Sequence, residues 1–194
     1  MATYADLSVV ADRTWNDLVV DGRGNAYVNG ISFSGENNRG LVALVTLDGV
    51  ARQVADGLAF PNGMAVTPDN GTLVVADSYA QQLVAFDIAR DGALSNRRAW
   101  ADVAGHPDGI CIDAEDAVWY ADVGDKQCVR VAHGGRVHET VQHDRGWFAC
   151  VLGGPARTTL FVTAAQWEGW EKGVAAGTGQ LVATEVSVPG AGWP

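Results

Sequence analysis

Basic residues are few: Lys and Arg number 13 against 23 Asp and Glu, for a formal charge of −10 over 194 residues. Phosphate backbones and anionic lipid surfaces repel a body of that sign, which argues against nucleic-acid or membrane-surface partners. Long hydrophobic runs are missing, since no stretch approaches the ~18 to 20 apolar residues of a spanning helix. The opening MATYADLSVVADRTW has no basic segment followed by an apolar one, so no secretory signal is read and a cytoplasmic location is expected. Cysteine is scarce and odd in number. Cys111, Cys128 and Cys150 form no Cys-x-x-Cys pair, which excludes a thiolate zinc site and a disulfide framework and leaves three buried small hydrophobes. A helical stripe is also missing: no segment keeps apolar residues at i, i+3, i+4 and i+7 over three turns.

Glycine, by contrast, is plentiful at 24 residues, and 47% of the chain is hydrophobic. The apolar runs are short and rich in β-branched residues, and Asp-Gly, Asn-Gly and Pro-Asp turns separate them. Examples are DLVVDGRGNAYV, GTLVVADS and DAVWYADV. The pattern predicts an all-β protein.

Four segments superimpose on one another. They are NDLVVDGRGNAYVNG from Asn16, NGMAVTPDNGTLVVADS from Asn62, DGICIDAEDAVWYADV from Asp108 and ACVLGGPARTTLFVTAA from Ala149, spaced by 46, 46 and 41 residues. Each reads as strand, tight turn, strand, with two further strand-like runs behind it. A four-stranded unit of this length cannot bury both of its faces alone, so the expected architecture is a β-propeller of four blades in one domain. A sandwich or irregular barrel is the alternative.

In a propeller the entrances of the innermost strands converge on the central channel. The converging set is Asn16, Asn62, Asp108 and Ala149. Two amide oxygens and a carboxylate make an oxygen-only environment that suits Ca²⁺ or Mg²⁺ better than a thiophilic metal. Any one of these turn sequences alone is more often only a turn; three in register point to a site. Asp108 is the one carboxylate of the set and so the candidate general base for a water held there.

The segments PNGMAVTPDNGTLVVADS (61–78), HPDGICIDAEDAVWYADV (106–123) and WNDLVVDGRGNAYV (15–28) resemble the senescence marker protein, gluconolactonase and luciferin-regenerating-enzyme-like family, and LSNRR, CVLGG and EVSVPGAG extend the resemblance over most of the chain. The resemblance implies a six-bladed propeller that hydrolyses sugar lactones or related esters with a divalent cation, calcium before Mg²⁺, Mn²⁺ or Zn²⁺. It assigns metal binding to Asn62 and Asp108 and a water or substrate contact to Asn16. Two departures stand out: Thr14, with Arg13 before it, occupies the position of a substrate-binding Arg, and the early blade with a metal-binding Glu has no counterpart among these four units. YADLSVVA (4–11) reads as the outer strand of such a blade, and exposed blade faces are expected to promote self-association. Without the Glu, a noncatalytic module that binds a cation or a protein is the alternative function.

Other constellations are weaker. His138, Glu139 and His143 miss the His-Glu-x-x-His spacing, and with His133 are expected in solvent; His106 reads as a turn histidine. Trp119 is expected between blades, and Trp147, Trp167 and Trp170 as packing residues. Glu36, in the polar loop 32–40, reads as a solvated carboxylate.

Overall fold

Three of the four inner hairpin turns are held by the side chain that begins them. Asp21 Oδ1 accepts the N–H groups of Arg23 and Asn25 at 2.9 and 2.8 Å. Asp113 Oδ1 does the same for Glu115 and Ala117 at 2.9 and 3.2 Å. In the equivalent turn Thr67 Oγ1 accepts from Thr72 N at 2.9 Å. These contacts compete with extended structure and reverse the chain after one short strand. All four turns pass through the left-handed region, at Gly24, Asn70, Asp116 and Arg157.

The computed structural model describes residues 2–33, 39–169 and 171–193. Four antiparallel sheets follow one another along the chain. The first is β1 (Thr14–Val20), β2 (Ala26–Ile31), β3 (Gly40–Val45) and β4 (Ala51–Leu58). The second is β5 (Pro61–Val66), β6 (Thr72–Asp77), β7 (Gln82–Ile88) and β8 (Leu94–Asp102). The third is β9 (Pro107–Asp113), β10 (Val118–Asp122), β11 (Gln127–Val131) and β12 (Val137–Gln142), and the last is β13 (Gly146–Gly153), β14 (Thr159–Ala165) and β15 (Gln180–Glu185). The innermost strands β1, β5, β9 and β13 neighbour one another in that order. This is the expected four-blade β-propeller arrangement, with three strands in the last blade among the described residues.

The core is three slabs, one between each pair of successive sheets. Val19, Tyr27, Val42 and Leu44 meet Met64, Val66, Leu73 and Val75. Ala65, Val74 and Leu83 meet Ile110, Val118 and Tyr120. Cys111, Trp119 and Cys128 meet Trp147, Cys150, Leu160 and Val162. Each sheet therefore buries its apolar face on a neighbour rather than on itself, the way small twisted sheets gain stability. All three cysteines and Trp119 lie in this packing, as expected. Among the described residues the two end faces have no such neighbour: Leu18 and Val20 are exposed on the first sheet, Val151 and Leu181 on the last.

One strand expectation is corrected. Residues 4–11 form no strand; a 3-10 turn covers Leu7–Val9, capped by Asp6 Oδ1, which accepts from Ser8 N at 2.9 Å. The short cap outcompetes extended structure because no sheet edge pairs with the segment, which is pinned instead by Tyr4 Oη donating to Leu47 O at 2.9 Å. At the other end, β16 (Gly190–Ala191) pairs with β9, while Trp193 and Val66 exchange both backbone hydrogen bonds. Gly190 N also donates to Arg157 O at 2.8 Å, so this segment touches the last three sheets in succession. Among the described residues, no helix is long and apolar enough to cross a membrane.

Candidate active and cation site

Every inner strand carries one extra residue at its entrance. Register shifts fall between Trp15 and Leu18, between Pro61 and Met64, opposite Tyr120 and Asp122 where β9 runs from Pro107 to Ile110, and between Trp147 and Ala149. A bulge of this kind turns a side chain out of the strand's alternation. The bulged residues are Asn16-Asp17, Asn62-Gly63, Asp108-Gly109 and Phe148. The fourth wall of the site is thus led by Phe148, one residue before the Ala149 of the sequence alignment.

The glycines after Asn62 and Asp108 let the inner strands crowd the axis. A Cβ on Gly63 would stand 2.5 Å from Ile110 N, and one on Gly109 2.6 Å from Ala149 Cα. Side chains there would push the strands, and their polar neighbours, apart.

The three residues singled out from sequence come together. Asn16, Asn62 and Asp108 line one channel of about 250 Å³, together with Asp17. Asn16 Nδ2 donates to Asn62 Oδ1 at 3.2 Å and to Pro61 O at 3.4 Å. Asn62 Nδ2 donates in turn to Ser78 Oγ at 3.5 Å. Asn62, Asp108 and Phe148 continue into a neighbouring cleft of about 200 Å³, walled by Phe60, Ser78, Tyr79, His106 and Trp167. Asn16 lines the channel and not this cleft.

Burial drives the electrostatics. The Asp108 carboxyl is pushed up to about 7, first by desolvation and then by the charge of Asp17, against the hydrogen bond from Asn62. Asp17 is itself raised by burial, although its Oδ2 accepts from Met64 N at 3.2 Å. Among the described residues neither carboxylate has a Lys or Arg partner. Two buried carboxylates without a counter-cation are an environment that a cation would relieve.

Behind these residues stands a scaffold that the sequence reading did not anticipate. Fully buried Asn29 donates from Nδ2 to Asn62 O at 2.6 Å and accepts at Oδ1 from Asp17 N at 3.3 Å. Ser78 Oγ donates to Pro107 O at 2.5 Å, tying the second sheet to the strand of Asp108. His106, read as a turn residue, lines the cleft instead. Of the tryptophans, Trp147 is buried in the last core slab and Trp167 faces Phe148 at the cleft, ring centroids 6.2 Å apart. Trp170 and Glu36 lie outside the described residues. His133 and His138 are exposed and His143 half-buried, none of them lining the cleft or the channel.

The profile of the SMP-30/Gluconolactonase/LRE-like region matches residues 2–166. The chain belongs to this family. Among its SMP-30/gluconolactonase-like relatives, a 6-deoxy-6-sulfogluconolactonase of Pseudomonas putida is 26% identical over 187 residues, covering 93% of this chain and 64% of that protein. A luciferin-regenerating enzyme superposes with a TM-score of 0.80 at 22% identity, over 96% of this chain and 66% of its own. A calcium-binding regucalcin of Agrobacterium tumefaciens gives 0.77 at 20% identity, over 97% and 66%. At such identities the two structures show the shared fold. The chain spans about two-thirds of the length of these proteins.

Proposed function

We propose that this chain carries the catalytic wall of a cation-dependent hydrolase of sugar lactones or related esters. The observation that carries the reading is Asp108: a carboxylate with a raised pKa, placed by a bulge where a polar channel meets an aromatic-walled cleft. Family membership and a relative named as a sugar lactonase support the substrate class.

The donor set fits a hard cation. Asn62 and Asp108 would hold it; both offer oxygen, as Ca²⁺ or Mg²⁺ prefers, and a calcium-binding structural relative favours Ca²⁺. Among the described residues, no cluster of three or more His, Cys, Asp or Glu is gathered to hold a metal ion; the set is the Asp108 carboxylate with amide oxygens, and Asp17 is a second carboxylate on the same channel. When bound, a divalent cation polarises the lactone carbonyl.

The chain's own residues supply the rest. Asp108 accepts a proton from water as the water oxygen adds to the carbonyl carbon. The ring C–O bond then breaks, and the departing alkoxide takes up the proton that Asp108 holds, which restores the carboxylate as the hydroxy acid forms. Asn16 orients the water or a substrate hydroxyl. Phe148 and Trp167 exclude bulk solvent from one side of the cleft.

The small donor set favours one second reading, a noncatalytic module that binds a cation weakly. Glucono-δ-lactone hydrolysis with added Ca²⁺ separates the two: the hydrolase reading expects activity in the wild type and a loss of at least a hundredfold in Asp108→Ala. Equal rates in both, or none in the wild type, would leave the module.

A further inference from the structure

His106 is an exposed residue on a loop, yet three contacts hold it. Its backbone N–H donates to Asp122 Oδ2 at 3.2 Å. Its ring Nδ1 lies 3.0 Å from Ser78 O. The ring stands edge-on to Tyr79, with centroids 6.4 Å apart at 83°. Tyr79 in turn stacks on Phe60 at 4.5 Å and 26°.

The contact with Ser78 fixes the chemistry of the ring. A carbonyl oxygen can only accept, so Nδ1 carries the hydrogen, and in the neutral imidazole Nε2 keeps a lone pair. Among the described residues no protein group is bonded to Nε2, and the ring lines the cleft that Asp108 shares. The wall therefore presents a hydrogen-bond acceptor of fixed orientation next to an apolar surface formed by Phe60 and Tyr79. That combination fits a ring with hydroxyl groups on its rim and C–H groups on its face.

We propose that His106 is a specificity-determining residue that accepts a hydrogen bond from a hydroxyl of the substrate, selecting polyhydroxylated lactones over unsubstituted ones. The proposal rests on the hydrolase reading above. Pre-organisation is what gives one hydrogen bond leverage, because a ring held by Ser78, on a backbone tied to Asp122, loses little freedom when substrate arrives.

The test compares D-glucono-δ-lactone with δ-valerolactone, the same ring without hydroxyls, on wild type, His106→Asn and His106→Gln. Asn places an amide N–H near Nδ1 and keeps the tie to Ser78 but has nothing at Nε2; Gln restores a polar atom there. We expect His106→Asn to lose about tenfold in kcat/KM on gluconolactone, mainly through KM, and to stay within about twofold on valerolactone, the scale of one hydrogen bond. His106→Gln should recover part of the loss. A parallel fall on both substrates, or no change on gluconolactone, would overturn the proposal while leaving the hydrolase intact. A wild type inactive on both lactones would instead remove the hydrolase reading, and this one with it.

Discussion

Asn29 bridges the first two sheets at the site itself: its Nδ2 donates to Asn62 O at 2.6 Å while its Oδ1 accepts from Asp17 N. One buried amide thereby sets the spacing between the strand of Asn16 and the strand of Asn62. Asn29→Ala strands a backbone carbonyl and an N–H, so it should cost about 1–3 kcal/mol in urea unfolding. It should also lower lactonase activity, since both bulges lose their common tie. Wild-type stability and activity in the variant would show that the bridge is idle.

Cation binding should appear as stability. Ca²⁺ in millimolar amounts should raise the melting temperature of the wild type, and chelator should reverse the rise, because a ligand bound only to the folded state adds to its stability. Asp108→Asn and Asn62→Ala should each abolish most of the shift. The affinity expected from a single carboxylate is millimolar, weaker than sites with several. A shift that survives both substitutions places the cation elsewhere.

The pH dependence follows from the Asp108 carboxyl, raised to about 7 in the folded chain from an ordinary ~4 when unfolded. Below about pH 4 the group is protonated in both states and costs nothing. Between about 4 and 7 the folded state binds the extra proton, so stability falls as pH rises, and above about 7 the full cost of a buried charge is present. Without cation, Asp108→Asn should therefore gain on the wild type as pH climbs through that window, read as a growing difference in urea midpoint. A constant difference would contradict the burial of the charge.

The end faces give a prediction about association. Leu181 on β15 is 71% exposed and Leu18 on β1 is 58% exposed, on sheet faces that no other sheet among the described residues covers. Apolar faces of this kind drive self-association. Sedimentation should show concentration-dependent oligomers, and Leu181→Lys with Leu18→Lys should move the distribution toward monomer. A wild type that stays monomeric at high concentration would count against it.

Much of the architecture is legible because its cause is local and repeated. Asp21, Thr67 and Asp113 recur at the spacing of Asn16, Asn62 and Asp108, and each closes its own hairpin, so alignment alone finds the blades and three of the residues that line the channel. The fourth strand shows the limit. Alignment counts residues, but which of two neighbours a bulge leaves unpaired depends on the facing strand, and β14 pairs Ala149 and frees Phe148. His106 reads as a turn histidine rather than a cleft residue for a related reason: its partners, Ser78 and Asp122, are 28 and 16 residues away. The alternation of residues 4–11 looks like a strand only until Asp6 is seen to cap a turn.

The pairing of residues 190–193 with β9 and β5 has a consequence for synthesis. Hairpins can form one after another as they emerge from the ribosome, since each closes locally. The strap that laces three of them together belongs to the far end of this sequence, so those sheets stay untethered at one rim until translation has passed it. A nascent chain stalled earlier should be cut readily by protease there, while its hairpin turns are already protected.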